Sequence, residues 1–241
     1  MNIIKLNAIG STNDYLKGLS KETHLEDGTV VLTEDQTKGR GQMGSSWQFE
    51  RGKSLAFSVF KRFDGILVDH QFAITVQVSL TLLNCLEQFG IPNLTVKWPN
   101  DIMAGDKKLC GILVENQLMG NQIKGSVVGI GLNVMNSSFV GLPNATSMSL
   151  IAGNSFDVEE VFSTIAEEIV FDLNHFYADH FHLFKMYEES LYRKGQVSVF
   201  SDGNEPFNGI IRGVDGNGEL RLEIEDGTVK TYRLKKIKLL N

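Results

Sequence analysis

The run Lys97-Trp98-Pro99-Asn100-Asp101, followed almost at once by Lys107-Lys108-Leu109-Cys110-Gly111-Ile112-Leu113-Val114-Glu115, constrains this chain more than any other stretch. It gathers amines, a carboxamide, a carboxylate and an indole around a proline, groups that an apolar core does not use. Pro99 fixes its own φ and pushes Trp98 towards extended geometry, so the chain turns sharply out of the preceding apolar strand, Leu94-Thr95-Val96. Asn100-Asp101 favours a turn, because short polar side chains bond to nearby backbone. The expected product is a rigid elbow with polar heads outside and an amine-bearing strand close behind it. Such an arrangement suits a small anionic ligand.

At 241 residues the chain can build one sizeable core, or a catalytic domain with a small appendage. A net charge of −6 argues against a nucleic-acid binder held by phosphate neutralisation. The basic residues near the end, Arg233, Lys235, Lys236 and Lys238, read as a solvated surface. The two isolated cysteines, Cys85 and Cys110, lie among apolar residues and read as reduced core thiols rather than a disulfide framework. The opening residues lack the charged and apolar regions of a signal peptide, and no apolar run approaches the ~20 residues of a membrane span. The expectation is a cytoplasmic protein with no membrane contact.

Residues 2–6 read as a short strand, and Ser11 or Thr12 as the N-cap of a helical stretch through Lys17. Residues 29–34 form a β-branched strand, residues 35–52 a glycine-bearing loop, and residues 53–60 a further strand. Phe72, Val76, Leu80, Leu83 and Leu86 recur at helical spacing over residues 69–89, and the apolar opposite face predicts that this helix is covered on most sides. Residues 109–115 and 123–134 read as strands joined by a turn over 116–122. Residues 157–192 read as a second helical region, capped by Asp157, with Phe181 and Phe184 in the core. Beyond Gly195 the texture changes to short alternating strands separated by Asp-Gly turns, which predicts a small barrel. The boundary falls near Lys194, giving domains 1–194 and 195–241, the first a mixed α+β domain with an antiparallel or mixed sheet.

Gly39-Arg40-Gly41-Gln42-Met43-Gly44 literally matches the dinucleotide pattern G-x-G-x-x-G. A Rossmann turn must open a helix whose N-terminus receives the pyrophosphate, whereas here the chain runs on into a strand. The match is therefore rejected, and no P-loop pattern occurs. What the loop offers is backbone freedom for N–H groups to approach an anion, a guanidinium at Arg40, and an apolar face at Trp47 on which a nucleobase can stack.

The ordered series Ser11-Thr12-Asn13, Gln36 with Gly39-Arg40-Gly41, Lys97 to Asp101, Lys108 to Leu113, and Gly129-Ile130-Gly131-Leu132-Asn133 resembles the biotin–protein ligases. The resemblance implies their class II aminoacyl-tRNA synthetase-like catalytic domain and an SH3-like C-terminal barrel. With the chain opening directly on these motifs, it resembles the monofunctional kind that lacks an N-terminal DNA-binding domain. The implied reaction is activation of biotin as biotinyl-5′-AMP by ATP with Mg²⁺, then transfer to a lysine of a biotin carboxyl carrier domain. A homodimer is compatible with this type of enzyme.

By that resemblance, Arg40, Lys97, Asp101 and Lys108 carry the chemistry. Ser11, Thr12 and Gln36 hydrogen-bond the ureido ring, with Asn13, Gly39 and Leu113 completing the biotin site. Arg40 and Lys108 hold the biotin carboxylate and the α-phosphate. Gly111, Gly129 and Gly131 let strand backbone lie against the ligand, the last towards the nucleotide. Trp47 packs on the adenine, Asn133 reads its edge, and Asn100 completes the ATP site. Many members carry a more basic loop; Gln42 and Ser45 stand where arginines often do, which implies a shorter-lived adenylate. The alternatives are a lipoate or octanoate ligase or transferase of the same superfamily, whose "RRxxGGG" signature is missing here, and a non-catalytic biotin-binding module.

Several residues have plainer readings. Trp98 reads mostly as core bracing of the elbow. Cys110 has no histidine near it in sequence to activate it and reads as a packed thiol. His175, His180 and His182 lack metal-ligand spacing and read as a solvated helix face.

Overall fold

The structure, a computed structural model, describes residues 1–22, 24–176 and 181–240. Among the described residues, twelve strands form two sheets. The first contains β1 (Asn2–Leu6), β2 (Thr29–Thr33), β3 (Ser54–Leu67), β4 (Leu94–Lys97), β5 (Asp101–Ala104), β6 (Lys107–Met119) and β7 (Gln122–Asn133), in the order β1-β2-β3-β7-β6-β5-β4. β1 and β2 run parallel and every other neighbouring pair is antiparallel, so the sheet is mixed. The helices are α1 (Thr12–Glu22), α2 (Gln71–Gln88), α3 (Met148–Ala152), α4 (Val158–Asn174) and α5 (Phe181–Glu189).

Alternation along β3 divides the sheet into two faces. Leu55, Phe57, Val59 and Phe63 join the main core with α2 and α4, where Phe57 and Phe162 meet edge to face. Phe60 and Val127 join a smaller cluster with Leu16 of α1. α2 is buried along most of its length, as its apolar circumference predicts. α4 begins at Asp157, whose carboxylate accepts from the Glu159 N–H at 2.9 Å. The helical region over 157–192 contains two helices, α4 and α5. Phe181 is 82% exposed rather than core, whereas Phe184 packs against the Phe72 ring. β7 lies within one residue of its expected bounds, whereas β6 runs beyond its apolar stretch at both ends, because antiparallel pairing with β7 continues through polar residues to the Gly120-Asn121 turn.

The second sheet comprises β8 (Val197–Ser201), β9 (Phe207–Val214), β10 (Leu220–Ile224), β11 (Val229–Tyr232) and β12 (Lys238–Leu240), antiparallel and ordered β11-β10-β9-β8-β12. β12 pairs with β8 and brings the chain's last strand to that edge of the sheet. Its turn before β10 packs tightly on the first sheet's helices: a side chain on Gly218, where φ is +82°, would overlap the Phe72 ring. No helix among the described residues is long and apolar enough to cross a membrane.

Candidate active site

The site lies on the α1 face of the first sheet, where the N-terminus of α1, the glycine loop and the β4–β5 elbow converge on β6 and β7. Ser11 caps α1: its carbonyl accepts from Tyr15 N at 3.1 Å and its hydroxyl from Asp14 N at 3.4 Å. Ser11, Thr12 and Asn13 are all buried. The Thr12 N–H donates to Gln36 Oε1 at 3.0 Å, joining the helix to the loop. Asn13 fits only because Gly129 has no side chain, since a Cβ there would overlap the Asn13 carboxamide.

The glycine loop folds back on itself as a tight turn. Gly41 N donates to Ser45 O at 2.7 Å, Trp47 N to Gly39 O at 2.9 Å, and Ser45 Oγ to Gln42 O at 2.9 Å. The Gly41 and Trp47 N–H groups are thus spent inside the loop and do not form the expected open anion nest. Gly39 is needed for this crossing, because a Cβ there would stand 2.6 Å from the Trp47 carbonyl oxygen. The turn lays the Trp47 indole across the floor of the site: a Cβ on Gly131 would meet its ring at 2.5 Å, and one on Gly111 at 3.3 Å. Trp47 Nε1 is buried with no hydrogen-bond partner among the described residues.

The elbow is braced from three sides. Trp98 Nε1 donates to Gly218 O of the second sheet's turn at 2.9 Å, and the buried Tyr187 hydroxyl of α5 donates to Pro99 O at 2.9 Å. Asn100 Nδ2 donates to Ile112 O at 2.6 Å, while Ile112 N returns a bond to Asn100 O at 3.0 Å. Trp98 is therefore a polar tie to the second sheet as well as packing. The Trp98–Pro99 peptide is cis. Asp101, read as part of a turn, opens β5 and pairs with Gly111.

A β-bulge decides where the lysine points. Between β5 and β6 the register runs Asp101↔Gly111, Ile102↔Cys110, then Met103↔Lys108, so Leu109 is the extra residue. Leu109 and Cys110 both enter the core, and Lys108 emerges on the same face as Gly111 and Asp101. Without the bulge, strict alternation would send Lys108 inward. Lys108 Nζ lies 2.7 Å from Asp101 Oδ1 and 5.6 Å from the Trp47 ring centroid, a cation–π contact. Burial raises the Cys110 thiol far above its ordinary pKa, and Cys85 is pushed up to about 12, so neither is a ready nucleophile.

Two cavities meet across Trp47 and Lys108. The first, of about 160 Å³, is lined by Ser11, Thr12, Asn13, Gln36, Arg40 and Leu113, with Gly111, Gly129 and Gly131 along its floor. The second, of about 290 Å³, takes in Lys97, Asn133 and Met103, and is walled by Phe139, Leu142 and their neighbours in the loop after β7. Ser46, Trp47, Asp101 and Lys108 line both. Each alone falls below the ~300 Å³ at which ligand pockets usually begin, and the two joined exceed it. Asn100 lies on the first cavity, not the second where the nucleotide residues gather. Gly39 lines neither; its work is the crossing under Trp47.

The charges are arranged unevenly. Arg40 shares the first cavity with Lys108, but its guanidinium is tied to Asp14 and, at 3.3 Å, to Glu115. Burial pushes the Glu115 carboxyl up, but hydrogen bonds from Lys17 and Asn13 and the charges of Lys17 and Arg40 outweigh it and hold the carboxyl below its ordinary value. Burial lowers the Lys97 pKa; Asp101 opposes that shift, and Lys108, Arg193 and Lys238 add to it. Asn133 Nδ2 donates to Thr146 O at 2.9 Å, which fixes the carboxamide at the mouth of the second cavity. No group of three or more His, Cys, Asp or Glu side chains among the described residues could cage a metal. His175 and His182 are exposed, and His180 lies outside the described residues.

Sequence reasoning missed Ser58, Asp14, Glu115 and the wall over residues 139–145. Ser58 is a fully buried hydroxyl amid β3, 2.6 Å from Asn13 Oδ1 and 2.7 Å from Thr12 Oγ1. A serine at an inward position of an apolar strand was the available signal.

A mixed sheet whose glycine floor carries a cationic junction between a polar and an apolar cavity defines a ligand-binding site with a fixed cation at its centre. The chain belongs to the biotin/lipoate A/B protein ligase family, whose pattern it matches over residues 6–133. It is 27% identical over 235 residues to the bifunctional ligase/repressor BirA of Bacillus subtilis, covering 91% of this chain and 71% of that one. It is 29% identical over 224 residues to the biotin–[acetyl-CoA-carboxylase] ligase of Mycobacterium tuberculosis, covering 91% and 82%. Its fold superposes on a biotin protein ligase from Aquifex aeolicus in complex with biotin and ATP with a TM-score of 0.80, at 26% identity over 99% of this chain and 98% of that one.

Proposed function

We propose that this protein is a biotin–protein ligase that joins biotin to ATP and passes the activated acid to a lysine of a biotin carboxyl carrier domain. In the first step a biotin carboxylate oxygen attacks the α-phosphorus; the new O–P bond forms as the α–β bridge breaks, and pyrophosphate leaves. In the second, the neutral lysine amine attacks the mixed anhydride carbonyl, AMP leaves, and the amine loses a proton. Both steps place negative charge at the junction of two ligands, where a fixed cation in a water-poor site contributes most. The observation that carries the reading is Lys108, which the bulge at Leu109 aims into the space shared by both cavities.

The first cavity suits biotin: polar groups from Ser11, Thr12, Asn13 and Gln36 at one end, and glycine backbone along the body. The second suits the nucleotide, with Trp47 for stacking and Asn133 for the adenine edge. Lys97, whose proton affinity burial weakens, lines the second cavity and supplies an amine on the phosphate side. Asp101 orients Lys108 through their ion pair. Asp101, the carboxylate that lines both cavities, is the residue that would hold Mg²⁺ brought in with ATP, and the ion would there offset phosphate charge. The division into a catalytic domain, 1–194, and a C-terminal domain, 195–241, accords with the two sheets.

Incubating a carrier domain with this protein, ATP, Mg²⁺ and biotin should add one biotin less one water by mass spectrometry. Addition of lipoate and not biotin would assign the lipoate branch of the family. Biotin binding with no biotin-dependent exchange of pyrophosphate into ATP would mark a non-catalytic module. Gln42 lines the first cavity without a charge, so Gln42→Arg should slow adenylate dissociation; an unchanged rate would show that the glycine loop retains the intermediate without its extra cations.

A further inference from the structure

The polar wall of the first cavity is organised from behind by a residue that lines neither cavity. The Glu115 carboxylate accepts from Asn13 Nδ2 at 2.9 Å and from Lys17 Nζ at 2.7 Å. The Leu113 carbonyl accepts from the same Nδ2 at 3.2 Å. A carboxylate and a carbonyl only accept, so the Asn13 amide must present its nitrogen to them and its oxygen inward. Asn13 Oδ1 is 2.6 Å from Ser58 Oγ, and the one Ser58 proton is committed to it. Ser58 has one proton, so with Asn13 Oδ1 taking it the Thr12 hydroxyl, 2.7 Å from Ser58 Oγ and 3.3 Å from Gln36 Oε1, spends its own proton inside the wall and is left an acceptor towards the cavity. Gln36 Oε1 is held by the Thr12 N–H at 3.0 Å, so its Nε2 remains a donor. Ser11 Oγ accepts from Asp14 N, leaving its O–H to donate.

We infer that Glu115 is a positioning residue that fixes the hydrogen-bond polarity of this wall, making it specific for a cyclic urea. The wall offers donors at Ser11 and Gln36 for a carbonyl and an acceptor at Thr12 for a ring N–H. If the Asn13 amide turned over, its nitrogen would donate to Ser58 and Ser58 to Thr12, which frees the Thr12 proton for Gln36 Oε1, 3.3 Å away, or for the cavity. Thr12 would then offer the ring N–H one lone pair fewer, with a mobile proton beside it. Glu115 prevents that reversal: it sits at the buried end of the relay, keeps its charge through Lys17 and Arg40, and never meets the ligand. The inference rests on biotin being the acid substrate and names what selects its ring.

The test compares calorimetric binding of biotin with that of the two cyclic carbamates in which oxygen replaces one ring N–H. Wild-type protein should prefer biotin over at least one carbamate by roughly tenfold or more, the effect of one mismatched buried hydrogen bond. Glu115→Met should narrow that ratio to within about threefold, and Glu115→Gln should narrow it partly. Ser58→Ala cuts the relay midway without touching Lys17 or Arg40 and should narrow it too, even if Glu115→Met fails to fold. A lowered melting temperature with an unchanged ratio in Ser58→Ala and Glu115→Gln would make Glu115 a structural residue and overturn the inference. Failure of the wild-type protein to bind biotin at all would instead overturn the assignment of the substrate, and the inference with it.

Discussion

The two cavities differ in how completely they are built before any ligand arrives. In the first, Thr12, Asn13, Gln36 and Ser58 hold one another in a continuous hydrogen-bonded series, and Ser11 is fixed beside them as the cap of α1. In the second, the wall is a loop, Leu142 and its neighbour Val140 are exposed, and the Trp47 indole rests on glycine with its Nε1 unpartnered. A buried N–H without an acceptor is costly, so the indole gains by finding one or by meeting water. The first cavity is preorganised and the second adaptable, and Lys108 stands where the two meet.

The largest effect should come from removing that junction. Lys108→Ala should lower biotin-dependent pyrophosphate exchange by about 10²–10³-fold, the usual loss for one preorganised charge-stabilising group. Its side chain is about a third exposed and its ion pair is partly solvated, so melting should shift little; a large drop in thermal stability would show that the lysine is structural.

A pair of alanine substitutions on neighbouring glycines separates the ends. Gly129→Ala sets a methyl against the Asn13 carboxamide, which the network cannot move, so biotin affinity and stability should both fall, the latter by about 1–3 kcal/mol. Gly131→Ala sets its methyl against Trp47, which a loop carries, so the effect should fall on the KM for ATP with biotin affinity nearly kept. Equal effects of the two on both ligands would erase the distinction between a fixed and an adaptable end.

Trp47→Phe shrinks the stacking surface and should raise the KM for ATP by about three- to tenfold while biotin binding stays within twofold, which titration of each ligand alone would check. The smallest effect is on stability against pH. Glu115 is held below its unfolded pKa in the folded protein, so the unfolded chain binds more protons in that acid window, and stability rises with pH there. The contribution is complete above the unfolded value and is lost as pH falls through the folded one; Glu115→Gln should flatten that limb of a chemical denaturation series.

Much of this was legible beforehand, for identifiable reasons. The β-branched strand at Thr29–Thr33, the cap at Asp157 and the apolar circumference of α2 are local signals, and each element formed where they stand. Phe181 shows the opposite: an aromatic at helical spacing does not disclose whether a neighbour covers it. The partners of Ser58 and Glu115 were unreadable because they lie 45–46 and 75–102 positions away, and a lone serine or glutamate carries no address. The bulge at Leu109 was hidden for another reason: an extra residue in one strand is defined only by the strand that it pairs with.

The sequence by itself determined the chemistry on offer: the order of the motifs, the rigid elbow at Pro99, and the glycines that keep a floor free of side chains. Only the tertiary structure decided the directions. It turned Lys108 out of the core through a register shift, tied Arg40 to two carboxylates, and set which atoms of the first cavity donate and which accept. Residue types are local, whereas the aim of a side chain and the placement of a proton depend on what folding brings against them.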